Sequence, residues 1–170
     1  YNHPQIRYTK TDLESKKLAD IFNAPFTIES GVIPKSLRKT AKTLNIPTIV
    51  YEGGESLRLN SEVIEQGLEG IMNCLEHLGH LPETGANGNR NKNIKIKSTS
   101  WIRASYSGIF IWEKKSGDKI TKGDRIGTIN DPYGVKSKSV ITNKSGYIIG
   151  HNNASVVNHG DALFHIGFTK

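Results

Sequence analysis

The sequence holds a single cysteine, Cys74. No disulfide can form within the chain, which sets aside the cross-linked frameworks of small secreted domains and makes a reducing, cytoplasmic setting the expectation. Cys74 falls in a helical apolar pattern and reads as a small core residue. No apolar run approaches the roughly 20 residues that a membrane-spanning helix needs, and the first residues lack the basic-then-apolar pattern of a signal peptide. A membrane is not expected as a partner. Aromatic residues make up only 8% of the chain, and they are not interleaved with basic residues as in single-strand nucleic-acid binders. The net charge is +7, with a pI of about 9.5. Yet the lysines and arginines are scattered: Lys16-Lys17, Lys35 to Lys42, Arg90 to Lys97 and Lys136-Ser137-Lys138. Such a distribution forms no stripe, and nucleic acid is not expected either. Tyr1 stands where a methionine would begin a chain and opens polar, mid-domain sequence, so a fragment or processed chain is expected.

What is present is a soluble, globular composition of 170 residues, 35% hydrophobic and 23% charged, enough for one ordinary domain or two small ones. Tyr1 to Lys10 reads as extended or looped. Thr11-Asp12-Leu13-Glu14 has the form of a capping box and predicts a helix to about Phe22, with Thr11 at the cap. Phe26-Thr27-Ile28 suits a short strand, with a turn at Glu29-Ser30-Gly31. Pro34 and Ser36 introduce a helix over Leu37 to Asn45, apolar at Leu37, Ala41 and Leu44 and basic at Arg38, Lys39 and Lys42. A longer helix is predicted from Ser61 to Leu78, with an apolar stripe of Val63, Ile64, Leu68, Ile71, Leu75 and Leu78 and with Gly79 past its end. Helix, strand, helix, strand, helix is the cadence of an α/β layer structure.

Between the last two helices lies Ile46-Pro47-Thr48-Ile49-Val50-Tyr51-Glu52-Gly53-Gly54-Glu55. A short apolar run closed by glycines predicts a strand buried on both faces. It delivers Glu52 at its C-terminal end, where α/β sheets collect ligands and catalytic groups. The two glycines permit a sharp turn and a close approach. Glu52 is therefore a candidate general acid/base, to be set against a solvated turn glutamate, and Glu55 is a weaker one.

From Gly79 to Asn93 the composition shifts to Gly, Asn, Pro and charge, the best linker candidate. The expected division is 1–82, a linker over 83–93, and a β-rich domain over 94–170. The last region repeats internally. Ser107-Gly108-Ile109-Phe110-Ile111 recurs as Ser145-Gly146-Tyr147-Ile148-Ile149, and each copy is followed by a Gly-Asp pair, 15 and 14 residues after its glycine. Two copies of strand, turn and strand predict two interlocked β-layers related by a pseudo-twofold. This region resembles the barrel-sandwich of lipoyl and biotinyl domains. However, the segment Asn130 to Ser139, where those carriers place a modifiable lysine, offers Lys136 and Lys138 in an unrelated Pro-Tyr-Gly setting.

Taken in order, Asn2-His3-Pro4-Gln5-Ile6-Arg7, Ser36 to Ala41, Ile46-Pro47 leading into Glu52-Gly53-Gly54, Glu65-Gln66-Gly67-Leu68 and the Gly-Asp pairs of the β-region resemble the succinylglutamate desuccinylase/aspartoacylase family of zinc-dependent deacylases. The resemblance implies the C-terminal half of a zinc-carboxypeptidase-like α/β domain followed by the lipoyl-like β-domain. It implies hydrolysis of the amide of an N-acylated amino acid or similar small acidic substrate. Glu52 would be the general base, Arg38, Arg7 and Tyr133 would bind substrate, and Arg58 is a lesser candidate for that role. Zinc is the implied cofactor, but the family's His-x-x-Glu pair and later histidine should precede Tyr1, and no metal ligand is assigned within this chain. His3 falls past the last ligand in the family's pattern and reads as a loop residue. His151, His159 and His165 read as surface strand residues rather than a metal cluster, and His77 and His80 as helix-end residues. The chain alone is expected to be inactive, and a homo-oligomer is among the assemblies allowed. The rival reading is a non-catalytic lipoyl-like binding or carrier module, or an inactive fragment.

Overall fold

The computed structural model describes residues 1–82 and 93–170. The expected linker over 83–93 lies outside the described residues except for Asn93. Fifteen elements follow one another: β1 (Asn2–Thr9), α1 (Leu13–Phe22), β2 (Phe26–Ser30), α2 (Leu37–Thr43), β3 (Ile49–Gly54), α3 (Ser61–His77), β4 (Ile94–Ile96), β5 (Ser98–Arg103), β6 (Gly108–Trp112), β7 (Lys119–Ile120), β8 (Arg125–Asn130), β9 (Ser137–Ile141), β10 (Gly146–His151), β11 (Val156–Val157) and β12 (Ala162–Phe168). The described residues form two compact units, His3–Ser98 and Thr99–Lys170, the latter joined by Tyr1–Asn2. Residues 94–98 group with the first unit because β4 pairs in parallel with β2, matching Ile94 to Phe26 and Ile96 to Ile28.

In the first unit β2 also pairs in parallel with β1, from Gln5–Phe26 to Thr9–Ser30. Tyr1 to Lys10, expected to be extended or looped, is thus a strand over Asn2–Thr9. Alternation along β1 turns Ile6 and Tyr8 to one face, where they form a core with Ala19, Phe22 and Ala24, backed by Ile49, Tyr51 and Cys74. Tyr8 donates its hydroxyl proton to Glu29 Oε2 at 3.1 Å. Burial, and then the Glu29 carboxylate, push its pKa from the ordinary 10.0 up to about 12. Because the folded-state value is the higher, the protonated phenol contributes stability that is complete below the unfolded-state value and lost as pH rises through the folded one. Tyr8→Phe should abolish this component of the alkaline slope, read from urea unfolding at a series of alkaline pH values; an identical slope in both proteins would refute the assignment.

Asp12, not Thr11, caps α1. Its backbone is extended and its carboxylate accepts from Ser15 N and from the Ser15 hydroxyl at 2.6 Å, so the cap sits one residue later than the capping-box pattern suggests. α2 begins at its Ser36 cap as expected and stops at Thr43. Of its apolar positions only Ala41 is buried, while Leu37 and Leu44 are exposed. Glu29 and Ser30 belong to β2 rather than to a turn.

Two expectations are overturned in the elements that flank Glu52. The strand starts at Ile49, with Ile46 exposed, and its residues through Glu52 are only half-buried. The reason is position: among the described residues β3 pairs with β1 alone, as an edge strand, so it lacks the second neighbour that buries both faces. Of the stripe expected of α3, only Val63 is buried and Leu75 half-buried, while Ile64, Leu68, Ile71 and Leu78 are exposed. Val63, Gly67 and Gly70 are buried, with Cys74 half-buried beside them. Built as alanine, Gly70 would place its Cβ 2.3 Å from the Phe22 ring and Gly67 2.9 Å from the Tyr51 ring. Small residues let α3 lie close on these two rings, and the bulky aliphatics are turned aside.

The second unit consists of strands only. β5, β12 and β10 are successive neighbours in one sheet, with β7 also on β10 and Asn2 paired to Gly150. The other sheet runs β11-β6-β8-β9. The internal repeat is visible in three dimensions. β6 pairs antiparallel with β8 as β10 does with β12, one pair in each sheet. Phe110 and Phe164 meet edge-to-face between them at 5.6 Å, in a core that includes Ile126, Ile129, Ile148 and Leu163. The Gly-Asp pairs make equivalent turns, Asp124 accepting from Thr121 N at 2.9 Å and Asp161 from Asn158 N at 2.7 Å. No helix among the described residues is long and apolar enough to cross a membrane.

Candidate active site

The site is assembled by two strands. On β1, Gln5 and Arg7 are two residues apart and share the face opposite Ile6 and Tyr8. On β3, Tyr51 turns toward the helices, its hydroxyl donating to Val63 O at 2.7 Å, so Glu52 turns to the face of Gln5 and Arg7. There Glu52 Oε2 accepts from Gln5 Nε2 at 3.1 Å and from Arg7 Nε at 3.0 Å. The Glu52 side chain is 37% exposed and that of Arg7 18%. One carboxylate oxygen is thus committed to two donors, while Oε1 makes no hydrogen bond among the described residues. A carboxylate held by one oxygen and free at the other can receive a proton without losing its orientation.

The glycines after Glu52 have separate tasks. A Cβ on Gly53 would stand 2.6 Å from Val63 Cγ1 and 3.4 Å from Pro4 Cα, so only glycine lets β3 pass between α3 and β1. Gly54 has φ +76°, the left-handed conformation that turns the chain out of the strand. Both uses match the expectation. Glu55 is tied to Arg58 at 3.1 Å and belongs to the following turn.

Arg7, expected to meet substrate, is also the ion-pair partner of Glu52, and its terminal nitrogens make no further hydrogen bond among the described residues. Arg38 is anchored elsewhere in the unit: Nη1 donates to Ser30 Oγ at 2.8 Å and Nη2 to Gly31 O at 3.1 Å, beyond the end of β2. No hydrogen bond or ion pair joins it to Glu52. Tyr133 lies in the other unit, 90% exposed, on a loop whose Asp131 carboxylate accepts the Tyr133 N–H and the Lys136 N–H. Those two hydrogen bonds fix the Pro-Tyr-Gly segment between Asp131 and Lys136.

Gln5 is absent from the residues expected at the site. It is fully buried, and its donor group must face Glu52, which leaves Gln5 Oε1 without a hydrogen-bond partner among the described residues. Alternation with Ile6 and Tyr8 was the available signal, hidden because Tyr1 to Lys10 read equally well as a loop. The histidines form no metal centre: among the described residues no group of three or more His, Cys, Asp or Glu side chains converges. His151 and His165 are buried rather than on the surface. His151 Nδ1 accepts from Ser116 N at 3.1 Å, and His165 stacks on Trp101 at 4.2 Å. His3, expected in a loop, lies on β1 and packs edge-on against Phe26 of β2.

No family model matches the sequence, and no curated protein matches it. Solved structures do. The succinylglutamate desuccinylase/aspartoacylase from Rhodobacter sphaeroides superposes with a TM-score of 0.86 at 19% identity, over 99% of this chain and 54% of that one. The product-bound ectoine utilization protein EutE (DoeB) from Ruegeria pomeroyi gives 0.84 at 16%, again over 99% and 54%. An aspartoacylase family protein from Mesorhizobium loti gives 0.74 at 16%, over 100% and 54%. The chain therefore has the fold of solved structures named for the succinylglutamate desuccinylase/aspartoacylase family, across about half of their length.

Proposed function

We propose that this chain is part of a hydrolase that cleaves the amide bond of an N-acylated amino acid or a similar small acidic substrate. The observation that supports this reading is Glu52, held through Oε2 by Gln5 and Arg7 while Oε1 makes no hydrogen bond among the described residues, on a strand of a fold shared with solved structures named for the succinylglutamate desuccinylase/aspartoacylase family. Oε1 takes a proton from the attacking water and returns it to the amine nitrogen as the C–N bond breaks, so that the amine leaves neutral. Arg7 holds the carboxylate through Nε and offers its terminal nitrogens, the fork that suits a substrate carboxylate. Arg38 keeps Nε–H and one N–H on each terminal nitrogen for the same purpose.

The zinc that the resemblance implies finds no ligand set among the described residues. In this reading its ligands belong to sequence outside the chain, and the chain supplies the proton-transfer residue. The test is metal analysis of the complete gene product together with its hydrolysis of an N-acylated acidic amino acid. The expected result is bound zinc and turnover by the complete product, with none from the 170-residue chain alone. A complete product with neither zinc nor amide hydrolysis overturns the reading, and so does hydrolysis by this chain in isolation.

A further inference from the structure

β2, β1 and β3 lie side by side in that order, since β1 pairs with β2 along one edge and with β3 along the other. In the parallel register Arg7 matches Ile28 and Thr9 matches Ser30. Ser30 therefore stands on the face that carries Gln5, Arg7 and Glu52, and Tyr8 and its match Glu29 stand on the other. Neighbouring strands are about 5 Å apart, which sets β2 about 10 Å from β3 and within reach of one small extended molecule lying across β1. Ser30 is the last residue of β2 and is half-buried. Its hydroxyl donates to Tyr8 O at 3.4 Å and accepts from Arg38 Nη1 at 2.8 Å. A guanidinium has donors only, so the serine oxygen must be the acceptor there, and its single proton is left for the β1 carbonyl. From the next residue, Gly31 O accepts from Arg38 Nη2 at 3.1 Å.

We propose that Ser30 is a positioning residue, which orients Arg38 as the receptor for a substrate carboxylate on the face of Glu52. This rests on the amide-hydrolase reading above and adds to it a residue that touches neither substrate nor the reacting atoms. Acceptors from consecutive residues fix the plane of the guanidinium, where Gly31 O alone would leave it free to swing. The N–H groups not spent on Ser30 and Gly31 are donors for an anion, and their direction follows from that plane. A side chain already held in its binding orientation loses little freedom when the carboxylate arrives, so more of the charge-assisted bond appears as affinity. α2 itself provides little other hold, because Leu37 and Leu44 are exposed and only Ala41 is buried. The anchor runs instead through Ser30 to the backbone of β1, the strand that carries Arg7. Removing the hydroxyl leaves the charge of Arg38 in place and takes away its aim.

The test is a double-mutant cycle in the complete gene product, assayed by hydrolysis of an N-acetylated acidic amino acid. Arg38→Ala should raise KM by on the order of a hundredfold and Ser30→Ala by about tenfold, with the Ser30→Ala loss falling on KM rather than kcat. Ser30→Thr keeps the hydroxyl and should restore the parental KM. In the Arg38→Ala background, Ser30→Ala should change KM by less than about twofold, because a residue that acts only through Arg38 then has nothing left to position. A tenfold effect retained in that background overturns the proposal. So does a parental KM in Ser30→Ala or in Arg38→Ala alone, and so does a Ser30→Ala protein that loses Tm and kcat at unchanged KM, the mark of a structural role only. A parent protein that hydrolyses no amide refutes the functional reading instead, and the role of Ser30 falls with it.

Discussion

Glu52→Gln in the complete protein should lower kcat for amide hydrolysis by about 10²- to 10⁴-fold, the usual contribution of a positioned acid/base group. Zinc content and thermal stability should stay as they were. The substitution is nearly isosteric, and the new amide oxygen can still accept from Gln5 Nε2 and Arg7 Nε, the two donors now on Glu52 Oε2. What disappears is the proton affinity of the free oxygen. A kcat within twofold of the parent would remove Glu52 from the mechanism. Gln5→Leu separates holding from proton transfer. It deletes one of the two donors and leaves the carboxylate, so its expected loss is smaller and falls on kcat rather than KM. It also removes the buried Gln5 Oε1 that has no partner among the described residues, which offsets part of the folding cost of the lost hydrogen bond.

Gly108→Ala and Gly146→Ala should each destabilise the β-unit by about 3 kcal/mol, the upper part of the range for overpacking. A Cβ on Gly108 would lie 2.4 Å from Asn130 O, and one on Gly146 2.5 Å from Gly167 O. In both cases the obstacle is the carbonyl of a strand in the same sheet, which cannot swing away as a side chain would. The two glycines open corresponding strands of the internal repeat, so the expected losses are similar. Urea unfolding followed by tryptophan fluorescence reports this unit directly, since Trp101 and Trp112 are the only tryptophans. A loss below about 0.5 kcal/mol at either position would mean that the strand pair opens to admit a methyl group.

The parts of the fold that were legible in the sequence are those fixed by local chemistry. The Gly-Asp pairs mark turns because an aspartate can hydrogen-bond the backbone three residues earlier, wherever the strands then lead. Glu52-Gly53-Gly54 marked a strand end that needs both space and a turn. The parts that were not legible depend on neighbours. An apolar run does not state how many strands flank it, and β3 has one on the described chain. The stripe from Ile64 to Leu78 is the strongest helical period in the chain, yet the unit packs on the weaker-looking line through Gly67 and Gly70, because the Phe22 and Tyr51 rings leave no room for Cβ atoms there. Hydrophobicity scales rank glycine low, so a contact built on its smallness is invisible to them. The same holds at the site. Arg7 is expected at the site through the resemblance, as a partner for a substrate carboxylate, whereas Gln5, with no charge, is recognisable only once β1 is known to be a strand.

Cys74 gives the close seating of α3 an experimental clock. It is the only thiol in the chain, its sulfur lies 3.8 Å from Leu18 O on α1, and burial pushes its pKa up, so the reactive thiolate is scarce while the helices stay together. Because Cys74 is half-buried, an alkylating reagent added to the unmodified protein labels it both in place and when α3 lifts from α1, and the part of the rate that rises with low concentrations of urea reports the lifting. That part, followed by mass spectrometry with no engineered residue, measures the opening equilibrium of this one helix pair apart from global unfolding.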